Sequence, residues 1–369
     1  MKSRVLQDLP LQALPDQPAP ADREGARAAA RKAADFARQV ARHCADYREP
    51  IAQRALMQLV NTGIPYLCAC AVMLWAATEG YWGITLILSV LAGGLLVRLF
   101  IIQHDCGHGS FLPSRAANDW IGRALSVLTV TPYESWKRAH ALHHASTGDL
   151  SRRGTGDMLT LTVREYLGLN WWRKLRYRIY RNPLFLIVLG SPVNFMVLQR
   201  LPFGMGISWR AAWKDVLALD AALLAGLGGL AYLAGGIGPV LLTLVPTICI
   251  AAWVGGWLFY VQHQFEGTAW ESSDEWDLHR AALEGSSYYV LPRVLQWFTG
   301  NVGLHHVHHL NSRIPNYRLQ ECLDGHATLG QVGRLTLRQS LACVRMSLWD
   351  EDARTLIGFS QLRSRLAAA

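Results

Sequence analysis

A chain of 369 residues is long enough for two or three average soluble domains, but 51% hydrophobic residues, 17% charged residues and a mean hydropathy of +0.13 favour a multispanning membrane protein. The formal net charge is +9, and attraction to anionic lipid explains this excess better than nucleic-acid binding does. Seven cysteines form no C-x-x-C pair, which argues against a zinc ribbon or a disulfide framework.

The first 50 residues precede every long apolar run. They are rich in Pro and Ala to about residue 22, and rich in Arg and Ala from there to about Tyr47. This composition predicts a disordered tail followed by a surface helix. Because the segment lacks the short apolar core of a signal peptide, we expect residues 1–50 to be a cytoplasmic N-terminal segment.

Four apolar runs occupy residues 57–77, 82–102, 216–234 and 239–262. Each has about the twenty residues that a helix needs to cross a hydrocarbon core of about 30 Å. Lys and Arg are concentrated before the first run, between residues 103 and 213, and after residue 263, whereas the two short connections contain none. The positive-inside rule therefore predicts that both termini and the long central loop are cytoplasmic.

The predicted fold class is an all-α integral protein of the cytoplasmic (inner) membrane, with four transmembrane helices and a cytoplasmic helical cap. We expect the membrane domain to extend over residues 51–320 and a C-terminal cytoplasmic segment to occupy residues 321–369.

Two stretches of the central loop are predicted to contact the membrane without crossing it. Residues 171–181 interleave aromatic with basic side chains, which is typical of a helix at the level of the lipid headgroups. Residues 184–198 are apolar, but they are shorter than a full crossing and are interrupted by Gly190 and Pro192. We interpret them as re-entrant or interfacial, because a crossing here would put the later histidines on the opposite side from the earlier ones.

Eight of the thirteen histidines occur in three groups at helical spacing: His104 and His108; His140, His143 and His144; and His305, His308 and His309. Residues three or four apart share one face of a helix, so each group directs its imidazoles to one side. An even number of predicted spans precedes each group, which places all three at the cytoplasmic face. His263, at the cytoplasmic end of the fourth run, is a ninth candidate.

Nine imidazoles exceed what one metal ion binds, since a structural zinc site takes four ligands and a catalytic one takes three. The pattern therefore predicts two ions. Imidazole suits iron, copper, nickel and zinc, so the ligand type alone does not select the metal. The ligand count favours iron, because nine imidazoles shared by two irons leave positions open for water or dioxygen, and zinc has no redox chemistry to use them.

Ligating histidines usually donate the proton of their other ring nitrogen to a carboxylate or a carbonyl. The carboxylates close in sequence to the histidine groups are Asp105, Asp149, Asp157 and Glu266. Asn301 lies four residues before His305, so on a continuous helix it would share that face and hold a metal-bound water, with helix capping as the alternative. The remaining histidines, which we expect to be outside the site, are His43, His279, His306 and His326.

These residues resemble the membrane-bound fatty acid desaturases, specifically the bacterial acyl-lipid type. The matching segments are HDCGHGSF (104–111), WKRAHALHHASTGDLSRRGTGDMLTLTVREY (136–166), YRNP (180–183), YVQHQFE (260–266) and LPRVLQWFTGNVGLHHVHHLNSRIPNYRL (291–319). Together they cover roughly residues 100–320, in the order that the family has.

The resemblance implies that the three histidine boxes and His263 hold two non-haem irons. It implies that the irons use dioxygen and two electrons to leave a cis double bond in the acyl chain of a lipid. It also implies an electron donor of the ferredoxin, flavodoxin or cytochrome b5 type. The chain contains no H-P-G-G haem motif, so we expect this donor to be a separate protein.

Two other functions fit part of the pattern. A hydroxylase of acyl chains, alkanes or carotenoids uses a similar histidine framework. A non-redox metal transporter or sensor is a third hypothesis, but it predicts acidic or histidine residues inside the spans. The four runs contain no Asp or Glu other than Asp220, which argues against transport.

Overall fold

The computed structural model describes residues 20–154, 158–201 and 207–368. The α-helices in chain order are α1 (Pro20–Ala45), α2 (Ala52–Thr78), α3 (Trp82–His108), α4 (Arg115–Thr129), α5 (Tyr133–Ser146), α6 (Val163–Gly168), α7 (Trp171–Tyr180), α8 (Ser191–Met196), α9 (Trp209–Leu233), α10 (Ile237–His263), α11 (Leu278–Glu284), α12 (Arg293–Phe298), α13 (His305–Leu310), α14 (Leu319–Asp324), α15 (Leu337–Cys343) and α16 (Phe359–Ala368). The strands are β1 (Leu161–Thr162), β2 (Tyr288–Val290), β3 (Arg334–Thr336), β4 (Leu348–Asp350) and β5 (Thr355–Ile357).

Four of these helices, α2, α3, α9 and α10, are long and apolar enough to cross a membrane. The four predicted spans are therefore confirmed as helices. Two of them continue beyond their apolar runs at the same end of the bundle, α3 to His108 and α10 to His263. A helix that continues past its apolar run carries ligating side chains on a rigid element at the edge of the apolar layer.

Helix α3 is the most buried of the four and packs against α2, α4 and α10. Its apolar side chains face three neighbours, so no polar stripe is needed on any side. At Gly93 the backbone of α3 comes so close to α10 that a Cβ atom would lie 2.6 Å from Cγ2 of Ile250. This packing fixes the direction of α3, and with it the position of His104 and His108.

The segment between α7 and α9 begins and ends at the histidine end of the bundle. At its start, Arg181 donates a hydrogen bond to Gln264, the residue after His263. At its end, Arg200 donates to the carbonyl of Val130, which follows α4. A π-helical turn (Leu184–Gly190), α8 and a 3-10 turn (Leu198–Arg200) lie between them.

The middle of this segment packs deep against α10. Nε1 of Trp253 donates to the carbonyl of Val188 over 2.9 Å, and Trp253 is ten residues before His263, or about 15 Å along the helix axis. Helix α7 and residues 184–200 meet at an angle of 60°. The segment is thus bent and lies beside α10, and its re-entrant or interfacial character stays a prediction.

Short helices cover the histidine end. Helix α1 buries Ala37, Val40 and Cys44 at a spacing of three and four residues against a cluster that includes residues of α11, α13 and α14. The predicted N-terminal surface helix is therefore present, with one face docked on the cap. The part of the predicted tail before residue 20 lies outside the described residues.

Two small sheets join the C-terminal residues to the cap. Strand β4 pairs in parallel with β1 and antiparallel with β5, and β2 pairs in parallel with β3. Each strand has only two or three residues, so the described chain is mainly helical, as predicted. The sequence did not predict these strands, because runs this short show no clear alternation of hydrophobicity.

Candidate metal centre

The structure brings all nine predicted ligand histidines together at one end of the bundle. His104 and His108 lie in the last two turns of α3, and His263 is the last residue of α10. The second and third sequence groups lie on α5 and α13 in the cap. The convergence follows from the hairpin topology, because the histidine ends of α3 and α10 lie side by side beneath α5 and α13.

The nine imidazoles form two groups whose membership differs from the sequence groups. The first contains His104, His108, His140, His144 and His308, and the second contains His143, His263, His305 and His309. Within each group all the ligand nitrogens lie within 4.8 Å of one another. His143 and His308 are each separated from the histidines adjacent to them in sequence, a division that the spacing alone did not predict.

The distances between ring nitrogens match the corners of a coordination shell. Successive Nε2 atoms are 3.3 Å apart for His104 and His108 and 3.1 Å for His140 and His144. In the second group Nε2 of His305 lies 3.0 Å from Nε2 of both His263 and His309. With metal–nitrogen bonds of about 2.1 Å, neighbouring ligands of an octahedral ion are about 3.0 Å apart and those of a tetrahedral ion about 3.4 Å. Each group therefore fits one ion.

The two groups adjoin each other. The rings of His144, in the first group, and His309, in the second, are stacked with centroids 4.1 Å apart. Nε2 of His308 lies 3.1 Å from Nε2 of His144, which joins α13 to α5 within the first group. Two ions held here would be close neighbours, as in a dinuclear site.

Burial favours the neutral form of five of these imidazoles, all in the cap. It lowers the pKa of His140 and His144 on α5 well below its ordinary value, and the neighbouring imidazoles lower it further. The same two causes lower the pKa of His305, His308 and His309. A neutral imidazole has a lone pair available for a metal, so the buried cluster can bind transition-metal ions.

Two imidazoles are oriented through their outer nitrogens. Nδ1 of His104 lies 3.1 Å from Oδ1 of Asp105, and Nδ1 of His263 lies 3.0 Å from the carbonyl of Gly285. Contacts of this kind fix the ring plane and leave Nε2 facing the metal. Asp105, predicted as an outer partner, is therefore in contact with a candidate ligand.

Asp105 is held by a residue that the sequence did not single out. Its Oδ2 accepts hydrogen bonds from the backbone N of Asn316 at 2.6 Å and from Nδ2 of Asn316 at 2.8 Å. Oδ1 of Asn316 in turn accepts from Nε2 of Gln58 on α2. Asn316 has no helical spacing to any histidine, so only the fold could reveal this contact.

A buried arginine extends this polar region into the membrane-spanning part. Arg98 of α3 donates to Oγ1 of Thr62 at 3.1 Å and to the carbonyl of Trp297 at the end of α12, and its guanidinium lies 4.1 Å from the centroid of the Trp297 ring. The sequence contained a signal for Arg98, because a charged residue inside an apolar run usually marks a functional or structural site. Helix α12 leads directly to the turn before His305.

Trp136 is a second residue that the sequence reasoning missed. Its ring is stacked on His140 with centroids 4.8 Å apart and contacts Phe100 edge-on. The signal was present, since Trp136 precedes His140 by four residues and thus shares its helix face. Trp136 forms an apolar wall beside the first group.

The other predicted outer residues lie elsewhere. Both carboxylate oxygens of Asp149 accept from Ser273, and the side chain also binds Arg152, so it stabilises a turn. The side chain of Glu266 is exposed, and Asp157 lies outside the described residues.

Asn301 and His305 do not lie on one continuous helix, which was the condition for Asn301 to share the face of His305. Helix α13 begins at His305, and Asn301 has a positive φ of 58°. Nδ2 of Asn301 donates to the carbonyl of Asn316 at 2.9 Å. Asn301 therefore supports the residue that holds Asp105.

The remaining histidines lie outside both groups. His306 is fully buried on α13, with its Nε2 3.0 Å from the carbonyl of Leu329. Nε2 of His43 lies 3.0 Å from the carbonyl of Cys322, and the ring of His43 contacts that of His326. His279 is half-buried on α11.

Comparison with known proteins gives one consistent result. The sequence profile described as Fatty acid desaturase matches residues 80–331, a range that contains all nine histidines. A protein named Fatty acid desaturase from Bacillus subtilis (strain 168) is 38% identical over 326 residues, covering 88% of this chain and 92% of the relative. The sn-1 acyl-lipid omega-3 desaturase (ferredoxin) of Synechocystis sp. is 27% identical over 262 residues, covering 68% of this chain and 69% of the relative. The sn-1 oleoyl-lipid 12-desaturase of Anabaena variabilis is 25% identical over 278 residues, covering 72% and 73%.

Proposed function

The chain belongs to the fatty acid desaturase family, and we propose that it forms a cis double bond in the acyl chain of a membrane lipid at a centre of two non-haem irons. The observation that carries the proposal is the pair of adjoining groups of imidazoles, five in one and four in the other. The proposed reaction consumes dioxygen and two electrons.

The donor set fits two iron ions. We propose His104, His108, His140, His144 and His308 as ligands of one ion, and His143, His263, His305 and His309 as ligands of the other. A group of five imidazoles exceeds the four ligands that zinc usually takes, and the site needs a metal with redox chemistry. When bound, the irons supply the oxidising power for cleaving an unactivated C–H bond, which side chains lack.

The protein's own residues hold and shield this centre. Asp105 and the carbonyl of Gly285 orient His104 and His263. Trp136 and Phe100 form an apolar wall beside His140, which excludes water from the place where an acyl chain would lie. Burial lowers the pKa of His140, His144, His305, His308 and His309, which favours the neutral form that binds a metal.

A lipid substrate is supported by the position of the site. The histidines lie at the ends of membrane-length helices, so an acyl chain can reach them from the apolar layer without leaving the membrane. Two relatives carry acyl-lipid or oleoyl-lipid in their names. We propose an acyl-lipid as the substrate on these grounds.

A separate electron donor is the second proposed partner. The name of the Synechocystis relative includes ferredoxin. We propose a donor of the ferredoxin, flavodoxin or cytochrome b5 type, which would approach from the cytoplasmic side. This orientation in the inner membrane follows from the distribution of Lys and Arg around the spans.

The proposal is tested by expressing the chain in a bacterial host and analysing its lipids by gas chromatography and mass spectrometry of derivatised acyl chains. We expect new monoenes or dienes that depend on dioxygen, and about two irons in each purified chain. Hydroxylated products alone would instead indicate the related hydroxylase activity. Zinc in place of iron, with no product, would favour a transporter or sensor.

The ligand assignment has a matched control on the same helix. His308→Ala, or His140→Ala on α5, should abolish the product while the protein still inserts in the membrane, since the spans do not depend on the metal. His306→Ala removes an equally buried imidazole that lies outside both groups, and it should retain product and iron. Equal loss of iron in His306→Ala and His308→Ala would contradict the assignment.

A further inference from the structure

A cavity of about 660 Å³ lies between α5 and α9 and reaches the first histidine group. His108 and His140 line its inner end, beside Trp136. Its volume lies in the range of pockets that hold small organic ligands.

One wall of the cavity belongs to a membrane-length helix. Ile207, Ala211 and Ala218 contribute this wall, the last two from α9. Ala218 is nine residues from the first residue of α9, so it lies about 13 Å down the helix axis and within the apolar layer. The small side chains of Ala211 and Ala218 leave a gap between α9 and α5 that a larger side chain would fill.

The aqueous rim of the cavity carries cations. Its lining includes four basic side chains, Arg123, Lys137, Arg138 and Lys214, against two carboxylates, those of Glu134 and Asp215.

Three of these cations, Arg123, Lys137 and Arg138, already interact with other residues of the protein. Arg123 donates to Glu134 and Lys137 to Asp119, each over 2.6 Å. Lys214 is exposed and forms no ion pair with any residue of the described ranges. Its ammonium group is therefore available to an anion at the rim.

We propose that this cavity is the lateral entrance for one acyl chain of a phospholipid, whose phosphate binds at Lys214. The lining contains what such a molecule requires: an ammonium group that can bind the phosphate, apolar side chains of α9 and two histidines of the first group. One lysine near the membrane surface increases the affinity for an anionic headgroup about fivefold. The tests that measure desaturation rest on the proposed function. The binding of lipid in the cavity does not depend on it.

The entrance is tested by adjacent substitutions on α9. Ala218→Trp fills the cavity, whereas Leu217→Trp adds the same bulk to a side chain that is 58% exposed and faces away. We expect Ala218→Trp to lower desaturation of phosphatidylglycerol in dodecyl maltoside micelles at least about tenfold, with unchanged iron content and thermal unfolding. Leu217→Trp should keep the wild-type rate. Equal rates in the two variants would overturn the proposal.

The phosphate contact is tested by charge reversal. Lys214→Glu should raise KM for phosphatidylglycerol about tenfold with kcat unchanged, and it should leave the rate on a diacylglycerol of the same chains unaltered. Arg363→Glu, an exposed site on α16 outside the cavity, is the control. An increase in KM for the reduced electron donor instead would make the rim a donor-docking surface and overturn the lipid assignment.

Lipid binding can be measured without turnover. A photoreactive benzophenone side chain placed at Ala218 should cross-link phosphatidylglycerol more strongly than one at Leu217, even in a chain that carries His308→Ala. If this cross-link forms while no lipid is desaturated, the entrance stands and the proposed reaction fails. If lipid is desaturated but no cross-link forms at Ala218, the entrance is wrong.

Discussion

Replacing Asp105 with Asn tests how the first histidine group is held. The carboxylate of Asp105 is buried and accepts three hydrogen bonds, one involving Nδ1 of His104 and two from Asn316. An Asn side chain keeps an oxygen for His104, but it turns an NH2 group toward the two donors of Asn316. Two buried donors then lose their acceptor.

The magnitude follows from these contacts. Each unsatisfied buried donor costs about 1 to 3 kcal/mol, so Asp105→Asn should lower the free energy of unfolding by about 2 to 6 kcal/mol. Loss of an outer partner of a ligand typically lowers metal affinity about 10- to 100-fold, which corresponds to about 1.4 to 2.7 kcal/mol. We therefore expect a chain that still inserts but binds iron more weakly.

The assay is iron content measured after dialysis against graded concentrations of a chelator, together with thermal unfolding in detergent. His306→Ala serves as the control, because it also disturbs a buried polar contact but touches neither group of ligands. Asp105→Asn should release iron at a lower chelator concentration than His306→Ala does. If both variants release iron as the wild type does, Asp105 does not orient His104 in the way described.

Three further predictions concern the same architecture. His263→Ala removes one of the four imidazoles of the second group, so the iron content should fall from about two ions per chain to about one. An unchanged iron content would show that His263 is not a ligand. Arg98→Ala leaves Thr62 and the carbonyl of Trp297 without their hydrogen-bond donor. It should lower the free energy of unfolding by about 2 to 5 kcal/mol. Arg176→Ala, at an exposed position, should lower it by about 0.5 kcal/mol or less, and thermal unfolding measures both. A Cβ atom at Gly122 of α4 would clash with the ring of Tyr133 of α5, whereas a Cβ atom at Gly228 meets nothing within 4 Å. Gly122→Ala should therefore lower the free energy of unfolding by about 1 to 3 kcal/mol, and Gly228→Ala should be neutral or stabilising. The reverse order in thermal unfolding would show that Gly122 does not lie against Tyr133.

The membrane helices and the histidines could be identified from the sequence because both signals are local. Hydropathy over about twenty residues reports on burial in lipid, whatever the other spans do. A spacing of three and four residues fixes which imidazoles share a helix face. Counting spans then placed every group at one end of the bundle. The same count predicts that residues 184–198 do not cross the membrane.

The outer contacts were less predictable, because they depend on segments far apart in the chain. Asp105 was found since it is adjacent to His104, but Asn316, which binds it, lies 211 residues away. Asn301 was assigned to a helix that begins only at His305. Asp149 was chosen for its proximity in sequence, and the fold instead directs it to Arg152 and Ser273.

What the sequence determined by itself was that nine histidines meet at one face of a four-helix membrane protein. Only the tertiary structure decided their division into groups of five and four. In this division His143 is in a different group from His140 and His144, and His308 is in a different group from His305 and His309. Spacing along one helix defines a direction for each side chain, whereas a coordination shell is assembled across helices. The angles at which α5 and α13 cross the ends of α3 and α10 therefore determine which imidazoles share an ion.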